Sequence, residues 1–270
     1  MRIGYLFSAA FMICLTAMSS CSGDQKQTSS IEGGNFRKLP KVVRQTIAAT
    51  KDRDAKEFAG LVSYPLQRPY PLKDINTKEE MEAYYNILMD DSISNIISTS
   101  KSSQWGEFGW RGWSLDNGEY IWVDEGVYAV PYVSKRETQI MDSLTNVEVQ
   151  SLPIQLRNGW RPMLTLRNPD TGVIYRIDTR SENKVKDGAH YRLSVYDKDA
   201  DLSKMPSSIM DGIMTVEGSA NVINYIFHDE KGEEYRIFPE SMTTGNAVLV
   251  IGDGDDIDLQ NAYWYDLIKK

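Results

Sequence analysis

Cysteine is nearly absent from the chain, and both copies, Cys14 and Cys21, fall within the first 21 of its 270 residues. Everything after Cys21 lacks a thiol, which excludes disulfides, thiol nucleophiles and zinc-cysteine centres from that region. Histidine is almost as scarce. His190 and His228 are the only two, so an H-E-x-x-H zinc helix is ruled out. His190 sits in an expected strand and His228 at a hairpin edge, positions that suit structural or surface roles better than catalysis. Basic tracts are missing too: 38 acidic residues outnumber 30 basic ones, for a net charge of −8. A nucleic-acid partner needs clustered Lys and Arg, so none is expected, and cationic or neutral ligands suit the chain better. There is no G-x-S-x-G elbow and no Walker sequence, and Gly252-Asp253-Gly254 lacks the third glycine of a dinucleotide loop. No cofactor is expected.

Most informative among the features present is the N-terminus. Arg2 precedes an apolar stretch from Ile3 to Ala17, which ends in Met18-Ser19-Ser20-Cys21. The stretch is shorter than the ~20 residues that cross a bilayer, and small residues precede the cysteine, as in a cleavable export signal. The run resembles the lipobox of bacterial lipoproteins, with Met18 where leucine is more usual. Cys14 follows Ile13 and does not fit. The resemblance implies cleavage before Cys21, lipidation of its sulfur, and a membrane partner through the lipid anchor; an ordinary secretory signal cut nearby is the alternative. No aspartate follows Cys21 directly, since Ser22-Gly23-Asp24 comes next. That pattern is similar to lipoproteins passed on to the outer membrane, on its periplasmic or its surface face. Loss of residues 1–20 removes only Arg2 among charged residues, taking the net charge from −8 to −9.

The rest divides into a polar tether over 21–39, an α+β domain over 40–148 and a β-rich domain over 149–270. Apolar spacing predicts helices between Pro40 and Val62, again after the capping pair Thr77 and Glu80, and from Asp91 to Ile97. Asn117-Gly118 reads as a two-residue hairpin turn that sets Leu115 opposite Tyr120 and Trp113 opposite Trp122, all four on one face. Val127 to Val133 reads as a further strand and Lys135 to Leu144 as a helix. Short strands with turns follow, ending in a strand from Ala262 to Ile268. The expected fold class is α+β: N-terminal helices packed on a curved antiparallel sheet, then an all-β sandwich or partly open barrel. Over residues 40–135 the element order is similar to the NTF2-like or SnoaL-like cone fold, which implies a concave sheet with a cavity. The Asp-His pairs of that family's enzymes have no counterpart, because residues 21–189 contain no histidine.

The densest chemical signal is the aromatic stretch Trp105, Phe108, Trp110, Trp113, Tyr120, Trp122 and Tyr128. Such rings either form core or stack on ligands. If they form a platform, Trp110, Trp113, Tyr120 and Trp122 are the expected ligand-binding residues. Asp197, Asp199 and Asp201 begin like a calcium loop, but Leu202 stands in place of its glycine. The aspartates at 253, 255, 256 and 258 read as a solvated turn, so no metal site is assigned. The leading functional reading is a non-enzymatic envelope lipoprotein that binds a glycan, a peptide or an envelope protein. A polysaccharide or envelope hydrolase with paired carboxylates is the second reading, and a structural subunit of an outer-membrane assembly the third.

Overall fold

The structure, a computed structural model, describes residues 39–180, 190–218, 222–239 and 247–268. Cys21, the export signal and the tether up to residue 38 lie outside the described residues. Two compact units are present, one of residues 39–67 and 74–137, the other of residues 68–73 and 138–268. Among the described residues no helix is long and apolar enough to cross a membrane.

The first unit begins with four helices, α1 (Lys41–Lys51), α2 (Ala55–Leu61), α3 (Lys78–Leu88) and α4 (Asp91–Ser98). Their starts follow from capping chemistry. Asp54 accepts the Glu57 amide at 2.8 Å, Thr77 accepts the Glu80 amide at 3.2 Å, and Asp90 accepts the amides of Ser92 and Ile93. Glu80 itself reaches back to the Asn76 amide, one residue before the cap. A four-stranded antiparallel sheet follows in simple order: β1 (Trp105–Glu107), β2 (Trp113–Leu115), β3 (Ile121–Val123) and β4 (Val127–Ala129). Helices and sheet share one core, in which Val43, Phe58, Met81, Tyr85 and Ile93 meet Leu115, Ile121 and Val123.

This corrects the expected NTF2-like cone. Each strand is three residues long, about 10 Å at the usual rise, which is too short to curve around a helix. The hairpin register is corrected as well. Leu115 pairs with Ile121 and Trp113 with Val123, across a five-residue loop from Asp116 to Tyr120. Asp116, Asn117 and Gly118 all adopt positive φ, so Asn117-Gly118 is the middle of a longer turn. The one-residue slip moves Trp122 to the opposite face, across from Ser114. Burial explains the choice: Ile121 and Val123 enter the core fully, whereas the expected register would have turned Asp124 inward along with Tyr120 and Trp122.

Helix α5 (Lys135–Ser151) starts in the first unit and continues in the second. It extends beyond the expected stop at Leu144. Its start is a reciprocal capping box: the Glu137 amide donates to Ser134 Oγ and the Ser134 amide to Glu137 Oε2, both at 3.0 Å.

After the short α6 (Ile154–Arg157), the second unit is an eight-stranded antiparallel barrel. Its strands are β5 (Trp160–Arg167), β6 (Ile174–Arg180), β7 (Tyr191–Tyr196), β8 (Ser208–Glu217), β9 (Val222–His228), β10 (Glu234–Phe238), β11 (Ala247–Ile251) and β12 (Ile257–Ala262). Each strand pairs with the next, and β12 returns to β5 through Gln260 opposite Arg167 and Ala262 opposite Thr165. The barrel is closed, which corrects the expected sandwich or partly open barrel. Closure leaves no edge to template aggregation. Residues 262–268 also differ from expectation, since the chain leaves β12 at Ala262 and forms helix α7 (Trp264–Leu267).

The barrel interior is filled by Leu166, Tyr175, Ile177, Leu193, Phe227, Leu249 and their neighbours. The wall made by β6 and β7 is buried on its outer side too. There Ile174 and Tyr196 pack with Leu152, Leu156, Leu202 and Trp264 in a second cluster.

Candidate functional site

Two clusters of chemistry-bearing side chains stand out, one on the outer face of the four-stranded sheet and one inside the barrel unit. The first is aromatic. Gly106, Ser114 and Trp122 lie in one row across β1, β2 and β3, on the side away from the helices. Small residues in that row leave room for large rings. A Cβ on Gly106 would stand 2.8 Å from the Phe108 ring, and one on Gly118, whose φ is +90°, would stand 2.3 Å from the Trp122 indole. Phe108 and Trp122 meet with centroids 5.2 Å apart at 57°, and Trp122 and Tyr128 meet at 6.3 Å and 46°.

These rings are held from behind. The Trp122 indole N–H donates to the Gly118 carbonyl at 3.2 Å, and the Tyr128 hydroxyl donates to the Arg111 carbonyl at 2.8 Å, which ties down the loop between β1 and β2. Burial followed by the nearby Asp124 carboxylate pushes the Tyr128 phenol up to about 12, so it stays a neutral donor at any physiological pH. Trp110 projects furthest, with 66 % of its surface exposed, and the Arg111 guanidinium lies 5.0 Å from its ring centroid. Phe108 is 38 % exposed. Beside this face, the turn Asp124-Glu125-Gly126 forms part of an open groove of about 630 Å³ shared with Lys41, Val42 and Gln45.

Of the four residues expected to bind a ligand, Trp122 belongs to this face, and Trp110 stands exposed in the loop between β1 and β2. Trp113 and Tyr120 pack instead against the helix-side core, Tyr120 with its centroid 6.5 Å from Tyr132. Phe108 and Tyr128 join the face in their place. Both stand in the aromatic stretch, but only the observed register and the bulge between Trp122 and Val123 show which side of the sheet the stretch presents.

The second cluster is ionic and sealed. Glu148 of α5 and Arg176 of β6 are fully buried, as are Asp178 and Arg192 to within a few per cent. Arg176 Nε donates to Asp178 Oδ1 at 2.9 Å and its Nη1 lies 3.4 Å from Glu148 Oε2. Arg192 Nη2 donates to Asp178 Oδ2 at 2.6 Å and to the Leu156 carbonyl at 3.0 Å. The Tyr70 hydroxyl donates to Glu148 Oε1 at 2.8 Å and lies 2.9 Å from Thr165 Oγ1. Trp264 stacks beneath Arg176 at 4.4 Å and Trp160 beneath Arg192 at 4.5 Å. Burial pushes the Glu148 carboxyl up to about 7, even though Arg176 and the Tyr70 hydroxyl oppose the shift.

Two carboxylates would serve a hydrolase if they faced a cleft. Glu148 and Asp178 face arginines instead, out of reach of water and of any polymer. Their arrangement fastens α5 and α6 to the barrel wall. On sequence, β6 reads as Ile-Tyr-Arg-Ile-Asp-Thr-Arg, the alternation of a half-solvated strand, so the cluster is easily missed. Its one signal is the opposite charge of Arg176 and Asp178 two residues apart on the same face. Among the described residues no group of three or more His, Cys, Asp or Glu side chains could hold a metal ion.

The fold and site thus define a small helix-and-sheet unit with an aromatic outer face, carried in one chain with a closed antiparallel barrel. No protein-family model matches the chain, and no curated protein or solved structure matches it.

Proposed function

We propose that the protein is a cell-envelope lipoprotein, anchored through Cys21, that acts as a non-enzymatic binding module, and that the aromatic face of its four-stranded sheet is the binding surface. One observation carries the reading. Phe108, Trp122 and Tyr128 gather on the outer side of a sheet whose inner side already supplies the core, and Trp110 stands exposed in the loop between β1 and β2. Trp122 and Tyr128, half-buried and held by their own hydrogen bonds, support the exposed Phe108 ring, and aromatic rings fixed in this way give a large contact area at small entropic cost. Glu148 and Asp178, by contrast, are buried and neutralised by Arg176 and Arg192.

The test pairs Trp110→Ala with Trp122→Leu in the full-length protein. Partners would be captured on intact cells by photo-crosslinking from position 125, an exposed site in the turn that leaves β3. Capture that disappears in Trp122→Leu, while the barrel melts unchanged, supports the reading. Capture that persists in both variants would contradict it.

A further inference from the structure

The aromatic face is set in an acidic frame. Residues 105–134 contain five carboxylates, Glu107, Asp116, Glu119, Asp124 and Glu125, of which Glu107 shares the helix-side row of Trp113, against one basic residue, Arg111. Four of the five stand at the two ends of β3: Asp116 and Glu119 in the loop that leads into it, Asp124 and Glu125 in the turn that leaves it. Trp122 lies between them at the centre of that strand. Asp124 acts directly on the rings, since its charge raises the Tyr128 phenol. The same residue lines, with Glu125 and Gly126, the open groove of about 630 Å³ whose other wall includes Lys41, Val42 and Gln45 of α1.

An aromatic face between carboxylates matches one ligand chemistry best. The face of an indole or phenol ring attracts a cation that sheds part of its water, and nearby carboxylates add a longer-range attraction. The protein already shows the first interaction within the patch, where the Arg111 guanidinium lies 5.0 Å from the centroid of Trp110. Neutral sugars would gain the stacking and hydroxyl hydrogen bonds to the carboxylates, but not the long-range, salt-sensitive attraction between opposite charges. We infer that the partner is a basic peptide segment, whose Lys or Arg side chains lie over Trp122, Tyr128 and Phe108 while its backbone follows the groove past Asp124 and Glu125. This inference rests on the proposed binding face and names the chemistry of its occupant.

Calorimetric titration of the full-length protein with octalysine, and separately with cellohexaose, separates the outcomes. Saturable octalysine binding is expected at about 50 mM salt and should weaken at least tenfold at about 500 mM, where the screening length falls to a few ångströms. Asp124→Asn with Glu125→Gln, both exposed positions, should weaken it several-fold and flatten the salt dependence. Trp110→Ala and Trp122→Leu should weaken it too. Binding that ignores salt and the two neutralised carboxylates would overturn the inference. Cellohexaose binding that is lost in Trp122→Leu, with no octalysine binding, would overturn it while leaving the binding face intact. Failure of both probes in every form of the protein would count against both.

Discussion

Gly118 decides where the Trp122 ring lies. Its φ of +90° lets the loop from Asp116 turn back, and its missing side chain leaves space for the indole that donates to its carbonyl. A Gly118→Ala substitution is strained in two ways, by the backbone and by contact with the ring, at a cost of about 1–3 kcal/mol. It should displace the indole from the Phe108–Tyr128 cluster, seen as a changed tryptophan emission and weaker partner capture, while the barrel still melts as before. Glu148 is the second residue with a distinct signature. Its folded-state value of about 7 lies above the ordinary 4.5, so its contribution is present in full below about 4.5 and is lost as the pH rises through about 7. Stability of the barrel unit should therefore fall between about pH 4.5 and about pH 7, and Glu148→Gln should remove that slope. Denaturant midpoints at several pH values in both proteins would check it; an equal slope in the variant would contradict it.

At the scale of the elements, the sequence leaves register and partnership open. Capping chemistry marks the start of α3, because Thr77 acts on an amide three residues away, whereas the break between α1 and α2, where Asp54 caps the second helix, is left open by the apolar spacing. The Asn117-Gly118 pair marks a turn correctly but not its length, and one residue of difference exchanges the faces of Trp122 and Ile121. Nothing local contains that information, which lies in what Ile121 and Val123 bury against the helices. Helix α5 is legible only in its first half for a similar reason. Glu148, in the second half, is buried by Arg176 and Tyr70, which stand 28 and 78 residues away in sequence. That clamp predicts a large effect. Arg176→Met leaves Glu148 and Asp178 buried without their shared cation and should destabilise the barrel unit by about 3–5 kcal/mol. Calorimetry of the variant would show the loss, and an unchanged melting temperature would mean the ion pairs carry no net stability.

On the scale of the whole molecule, strand count and spacing reveal a β-rich C-terminal half but not its closure. β12 meets β5 across some 95 residues, and the three pairs from Gln260 to Ala262 that close the barrel carry no mark in the sequence. The absence of the expected cone has a simpler cause, since a sheet of three-residue strands cannot enclose a helix. At this scale Cys21 carries the prediction about location: Cys21→Ala should release the protein from membranes and abolish labelling with palmitate, and continued labelling would refute the anchor. Binding at the aromatic face is directly testable through the six tryptophans. We would substitute 5-fluorotryptophan throughout the full-length protein and follow the six fluorine resonances during titration with octalysine and with cellohexaose. Binding at this face should shift Trp122 and Trp110 while Trp105 in the core and Trp264 in the barrel unit stay fixed. Shifts confined to Trp160 and Trp264, or none with either probe, would contradict it.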